Sequence, residues 1–194
     1  MNRRGANRIG PLGSSGVIAQ WGASSLIRSA QTASGTASAA VTIAAVDTAN
    51  TIVLFGNNSF SAYNDTKQYW FARVSAISPT SVTFTVNTGG GGAVAKASVL
   101  EFVPGVIKSI QYSTIAFTTE TPTKTGTITA VDTAKSVVLF MGTTSNDNTG
   151  GYPAGNNNMC SVILTNSTTV TAQRGEYWAA GGSPTVGFCV VEFF

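Results

Sequence analysis

At 194 residues, 43% hydrophobic and only 10% charged, with a net charge of +3, the chain has the composition of a globular protein of one large or two small domains. Histidine is absent, which removes the commonest general base and metal ligand and makes an ordinary hydrolase a poor expectation. Low charge with abundant Thr, Ser, Ala and Gly predicts a surface largely covered by partners rather than one tuned for a free monomer.

Residues 1–24 differ from the rest. Four glycines fall in the first sixteen residues, with no apolar period, and Arg3, Arg4 and Arg8 are unopposed because the first acid of the chain is Asp47. This is an extended basic arm rather than a domain. Three readings of it stay open: a frayed terminus, a peptide threaded onto a neighbouring subunit, or a nucleic-acid contact. The second predicts Arg3, Arg4, Arg8, Ile9, Leu12, Val17, Ile18 and Trp21 as interface residues. The third is weak, because three charges without interleaved aromatics bind phosphate poorly. No secretory hydrophobic region and no run of about 18 apolar residues is present, so synthesis in a cytosol without membrane insertion is expected.

From residue 25 the pattern becomes β. Alternation shows in Ile107-Lys108-Ser109-Ile110-Gln111, in residues 126–131, and in 161–164 followed by 169–172. Pro79 and Asn166-Ser167 read as turns, making 72–86 and 160–174 two hairpins. Asp47-Thr48-Ala49-Asn50 and Asp132-Thr133-Ala134-Lys135 read as tight turns in which the Asp bonds its own backbone. The apolar runs Ile52–Phe55 and Val137–Phe140 predict central strands covered on both faces. About six strands per half and no helix are expected, with residues 190–194 as a final packed strand.

The segment 42–55, TIAAVDTANTIVLF, returns at 127–140 as TITAVDTAKSVVLF, identical at ten of fourteen positions. Residues 26–31 echo 106–111, and 99–102 echo 190–193. A period near 85 predicts two small domains, since solenoid repeats run to roughly 20–50 residues. The expected architecture is all-β: two tandem duplicated small β-sandwich or barrel modules, 25–103 and 105–194, preceded by the arm and joined by the short linker Val103-Pro104-Gly105.

The loops after the Val-Leu-Phe strands differ most between the halves. They are dense in aromatics, Asn and Gly, as contact surfaces are. Tyr63, Tyr69, Trp70, Tyr152, Tyr177 and Trp178 are the candidate binding residues, for a protein neighbour within an assembly or for a sugar face, the third reading being exposed loops with no ligand. Glu101 and Glu192 occupy equivalent places and so are not a catalytic pair by proximity. Only distant acids such as Asp65, Asp147 or Glu176 could supply the two carboxyls of a glycosidase. Asn146-Asp147-Asn148 is too poor for a calcium loop, and the glycine runs at 89–92 and 181–182 lie between strands, where they are hairpin loops rather than phosphate cradles. Cys160 and Cys189 stand where the first half has Ala72 and Ser98. They read as small core residues, with a disulfide as the alternative. No cofactor, no metal and no catalytic residues are expected.

The layout of Ile-Lys-Ser-Ile-Gln, Thr-Ile-Thr-Ala-Val-Asp-Thr-Ala-Lys-Ser-Val-Val-Leu-Phe, Leu-Thr-Asn-Ser-Thr-Thr-Val-Thr-Ala and Val-Val-Glu-Phe resembles a family of small all-β virion structural proteins of tailed bacteriophages. The resemblance covers about 170 residues, best over 105–194, and omits the arm. In the first half Arg28 replaces the Lys and Ala30 the Ile. It implies a non-enzymatic, multi-copy decoration, collar or tail-associated component, made in the host bacterial cytoplasm and bound to other virion proteins and to copies of itself. The alternative it implies is a tail-fibre or receptor-binding module that reads a host surface glycan.

Overall fold

The computed structural model describes residues 26–36, 38–60, 72–86, 93–118, 121–144, 160–175 and 183–194. They form twelve strands and two single 3-10 turns. The strands are β1 Ile27–Thr36, β2 Ala40–Thr42, β3 Thr51–Phe60, β4 Ala72–Ser78, β5 Ser81–Val86 and β6 Ala93–Phe102. They continue with β7 Ile107–Ala116, β8 Thr123–Thr127, β9 Ser136–Thr144, β10 Cys160–Asn166, β11 Thr169–Arg174 and β12 Thr185–Phe193. The protein is all-β, and the strand pairings are antiparallel.

Three sheets result: β1-β6-β3, β10-β11-β8, and a six-stranded sheet ordered β2-β5-β4-β9-β12-β7. The last is two triplets joined at one bridge, Arg73 of β4 opposite Gly142 of β9. The strand order recurs, because β1-β6-β3 has the order of β7-β12-β9, and β2-β5-β4 that of β8-β11-β10.

Both expected hairpins form, β4-β5 through Pro79 and β10-β11 through Asn166, with Asn166 Oδ1 accepting from the Thr168 N–H at 2.9 Å. Period-two patterning sets what each buries: Val82 and Phe84 of β5 and Val170 and Ala172 of β11 point inward, with threonines between them. Arg174 takes the next inward position of β11, buried, with its guanidinium carbon 5.6 Å from the centre of the Phe117 ring.

Two cores form. The first gathers Val53, Val74, Val82, Phe84, Ala97 and Val99 with Met141, Cys189 and Val191 from the other half of the chain. The second gathers Ile115, Val131, Val170, Val186, Phe188 and Val190. Successive residues of β12 therefore enter opposite cores, and the strand is buried from Val186 to Glu192. This corrects the expectation for Ile52–Phe55 and Val137–Phe140. Ile52 and Val53 are buried as expected, whereas Leu54, Val137 and Phe140 are exposed, on faces of β3 and β9 that no described residue covers. The strand covered on both faces is β12, where an unbroken apolar run is what two cores demand.

Candidate functional site

The most ordered polar feature is a pair of matched carboxylate clusters. Glu101 Oε1 accepts from Arg28 Nη1 at 3.2 Å and from the Asp47 N–H at 3.0 Å, while Oε2 accepts from Ser29 Oγ at 3.0 Å. Glu192 repeats this, accepting from Lys108 Nζ at 2.8 Å, the Asp132 N–H at 3.0 Å and Ser109 Oγ at 3.1 Å. Both carboxylates are buried.

A register shift explains how adjacent residues reach one carboxylate. Ile27 lies opposite Phe102 and Ser29 opposite Glu101, so Arg28 is an extra residue; Lys108 is the extra residue between Ile107 and Ser109. In a regular strand Arg28 and Ser29 would face opposite sides, and the bulge turns both toward the glutamate.

Neighbouring bonds also recur. Asp47 Oδ1 accepts from the Ala49 N–H at 3.0 Å, and Asp132 Oδ1 from the Ala134 N–H at 2.9 Å, capping the 3-10 turns. Gln31 donates to the Ala44 carbonyl and accepts from the Ala44 N–H, and Gln111 does the same with Thr129. The Lys108 ammonium first, and the Asp132 N–H next, hold the Glu192 carboxyl below its ordinary value of 4.5. A buried carboxylate saturated by three donors is suited to fastening strands, not to moving a proton.

Both thiols are free. Burial pushes the Cys189 thiol up to about 12 and the Cys160 thiol up to about 11, the latter opposed by a hydrogen bond from Thr143 and by the Arg174 charge. Neither is a ready nucleophile. Among the described residues no group of three or more Cys, Asp and Glu could hold a metal ion, and no helix is long and apolar enough to cross a membrane.

The interface and binding residues expected from the sequence lie outside the described residues: Arg3, Arg4, Arg8, Ile9, Leu12, Val17, Ile18 and Trp21 of the arm, and Tyr63, Tyr69, Trp70, Tyr152, Tyr177 and Trp178 of the loops. The strand ends to which those segments attach are placed, however. Phe60 lies opposite Ala93, Ala72 opposite Val86, Thr144 opposite Thr185 and Cys160 opposite Arg174. The bridge from Arg73 to Gly142 brings the start of β4 to the end of β9. The aromatic segments of both halves therefore leave one end of the molecule. Leu26, which follows the arm, lies at the other end, its carbonyl accepting from the Val103 N–H beyond the far end of β6. The length of a ten-residue strand, roughly 30 Å, separates the two ends.

Sequence reasoning missed the bulges and the joint between β4 and β9. The bulges had a signal: Arg28-Ser29 and Lys108-Ser109 are adjacent polar residues that break an alternating strand, each ahead of a Gln at the same spacing. No protein-family model matches the chain, and neither does any curated protein or solved structure.

Proposed function

We propose that the chain is a non-enzymatic structural protein of a tailed-bacteriophage particle, present in many copies as a decoration, collar or tail-associated component. It consists of two tandem copies of one small β-sandwich module, 25–103 and 105–194, and residues 1–24 anchor it to neighbouring subunits. The observation that carries this reading is its polarity: the arm joins the fold at one end and the aromatic segments leave from the other. A component fastened at one end and presenting variable segments at the other needs this arrangement. Support for the duplication comes from the repeated strand order and the matched hydrogen bonds of Glu101 and Glu192. A non-catalytic role is supported by the lack of histidine and by the saturation of both buried carboxylates.

Antibody-gold labelling of purified particles tests this. Label over the head, neck or tail body agrees with a structural component, and particles without label refute it. Removal of residues 2–24 should abolish incorporation while circular dichroism stays that of a β protein. Normal copy number of the truncated protein would show that the arm is not the anchor.

A second reading, a tail-fibre or receptor-binding module for a host glycan, is favoured by the convergence of the aromatic segments at one end. Label confined to the distal tail, with glycan binding lost on substitution of Tyr69 and Trp70, would select it.

A further inference from the structure

The six-stranded sheet is made of a β2-β5-β4 triplet from the first half joined to a β7-β12-β9 triplet from the second, and the chain keeps one spare of each kind. The spare β10-β11-β8 has the strand order of β4-β5-β2, and the spare β1-β6-β3 that of β7-β12-β9. We propose that copies of this chain associate head to tail by repeating the internal joint, β10 of one copy meeting β3 of the next as β4 meets β9 within the chain. The inference rests on reading the two halves as copies of one module.

Burial agrees with a joint used once and left open once. Ile52 belongs to the core shared with Cys189 and Val191 and is 7% exposed, whereas Val137, at the matching position, is 44% exposed. On the side that docks, Leu139 packs against the first core, whereas its match Leu54 is 36% exposed. Phe140 is exposed too, although its match Phe55 is partly buried against the first core.

The internal joint is heterologous. Tyr112 Oη donates to the Thr51 carbonyl at 3.3 Å and Arg73 pairs with Gly142. A two-fold relation would also join β10 to β3 within the chain, and those strands lie in separate sheets. Heterologous joints make rings when the rotation closes and filaments when it does not.

Closure is favoured by two contacts between matched residues. The Phe55 and Phe140 rings lie 6.5 Å apart and the Phe102 and Phe193 rings 6.4 Å apart. Matched points this close cannot be related by a shift of a whole module width, so the halves are related mainly by rotation about an axis near these rings. Repetition of a rotation about a nearby axis favours a small closed ring over a filament.

The joint between copies is looser than the one within. Gly142 and Gly187 allow the internal close approach, and the matching positions hold Asn57 and Lys96, so the joint between copies brings Val137 and Leu54 under cover without repeating the backbone bridge of Arg73 to Gly142. Association that depends on concentration follows.

Sedimentation velocity on the full chain over a hundredfold range of concentration tests the proposal, with Val137→Glu blocking the receiving side and Leu54→Glu the docking side. Both positions are exposed, and circular dichroism and melting temperature establish that each variant is folded. Wild type should pass from monomer to one discrete small oligomer, and each variant alone should stay monomeric. An equimolar mixture of the two variants should form a dimer and nothing larger, because each retains one working side. A folded wild type that stays monomeric, variants that associate like wild type, or a monomeric mixture would overturn the joint. An unbounded series of wild-type species would overturn the ring. None of these outcomes bears on a virion role, which labelling of particles decides separately.

Discussion

The backbone N–H of Asp132 donates to Glu192 Oε1 across 3.0 Å, although the two residues are sixty positions apart. The 3-10 turn that Asp132 caps is thereby fixed to the last strand. Asp47 and Glu101 form the same bond at 3.0 Å in the first half. In each half one buried carboxylate ties a bulge, a turn and a strand end together.

Stability should fall on acidification. The folded Glu192 carboxyl is held below its ordinary value of 4.5, principally by Lys108 and then by the Asp132 N–H. A depressed folded pKa contributes stability that is present above about 4.5 and is lost as pH falls through the folded value. Lys108→Met should raise the folded value and so narrow that window, so the variant should lose less stability on acidification and finish losing it at higher pH than wild type. Thermal melts between pH 7 and pH 2.5 read this; superimposable acid limbs would refute it.

Gly142→Ala should be severe and Gly105→Ala mild. Both glycines have positive φ, +92° and +89°, which costs a non-glycine residue about 1–2 kcal/mol. A side chain at 105 meets nothing within 4 Å, whereas at 142 its Cβ would lie 2.7 Å from Arg73 Cα and closer still to the Ala72 carbonyl oxygen. The extra cost of Gly142→Ala, about 2 kcal/mol or more beyond the backbone term, measures the β4-β9 approach. Urea denaturation of the two variants gives it directly, and equal midpoints would show that the approach is readily relieved.

Val190→Ala and Val191→Ala should each cost roughly 2–3 kcal/mol from lost burial and the cavity left behind. Both side chains are fully buried, in different cores of one strand. Calorimetry should show one transition lowered by both. Two separable transitions, each sensitive to one substitution, would mean that the cores melt independently.

Neither thiol should react with a disulfide reagent at pH 8 in the folded protein, since burial raises Cys189 to about 12 and Cys160 to about 11. Both should react at once in 6 M guanidinium. Fast labelling of the native state would show that β12 or β10 opens readily.

Much of the strand content was legible because it rests on local signals. Alternation in 81–86 and 169–174, Pro79 and Asn166 as turns, and Asp47 and Asp132 as caps each depend on a few neighbouring residues. What was not legible depends on the other half of the chain. The run Val137–Phe140 is as apolar as 188–191, yet Val137 is exposed and Val190 is not, because only β12 lies between two cores. Composition cannot distinguish an apolar strand covered on both faces from one covered on a single face. The candidate loops carried a compositional signal, and of their surroundings the fold places only the strand ends from which they leave.

The double burial of β12 also bears on how the protein is made. Among the described residues β12 follows every other strand in chain order, and its side chains are needed to close both cores. A nascent chain that has emerged only as far as β11 lacks Cys189 and Val191 of one core and Val186, Phe188 and Val190 of the other, so neither hydrophobic interior is sealed. Closure of both interiors therefore waits until β12 leaves the ribosome, and until then the sheet edges it covers are open to association with other chains.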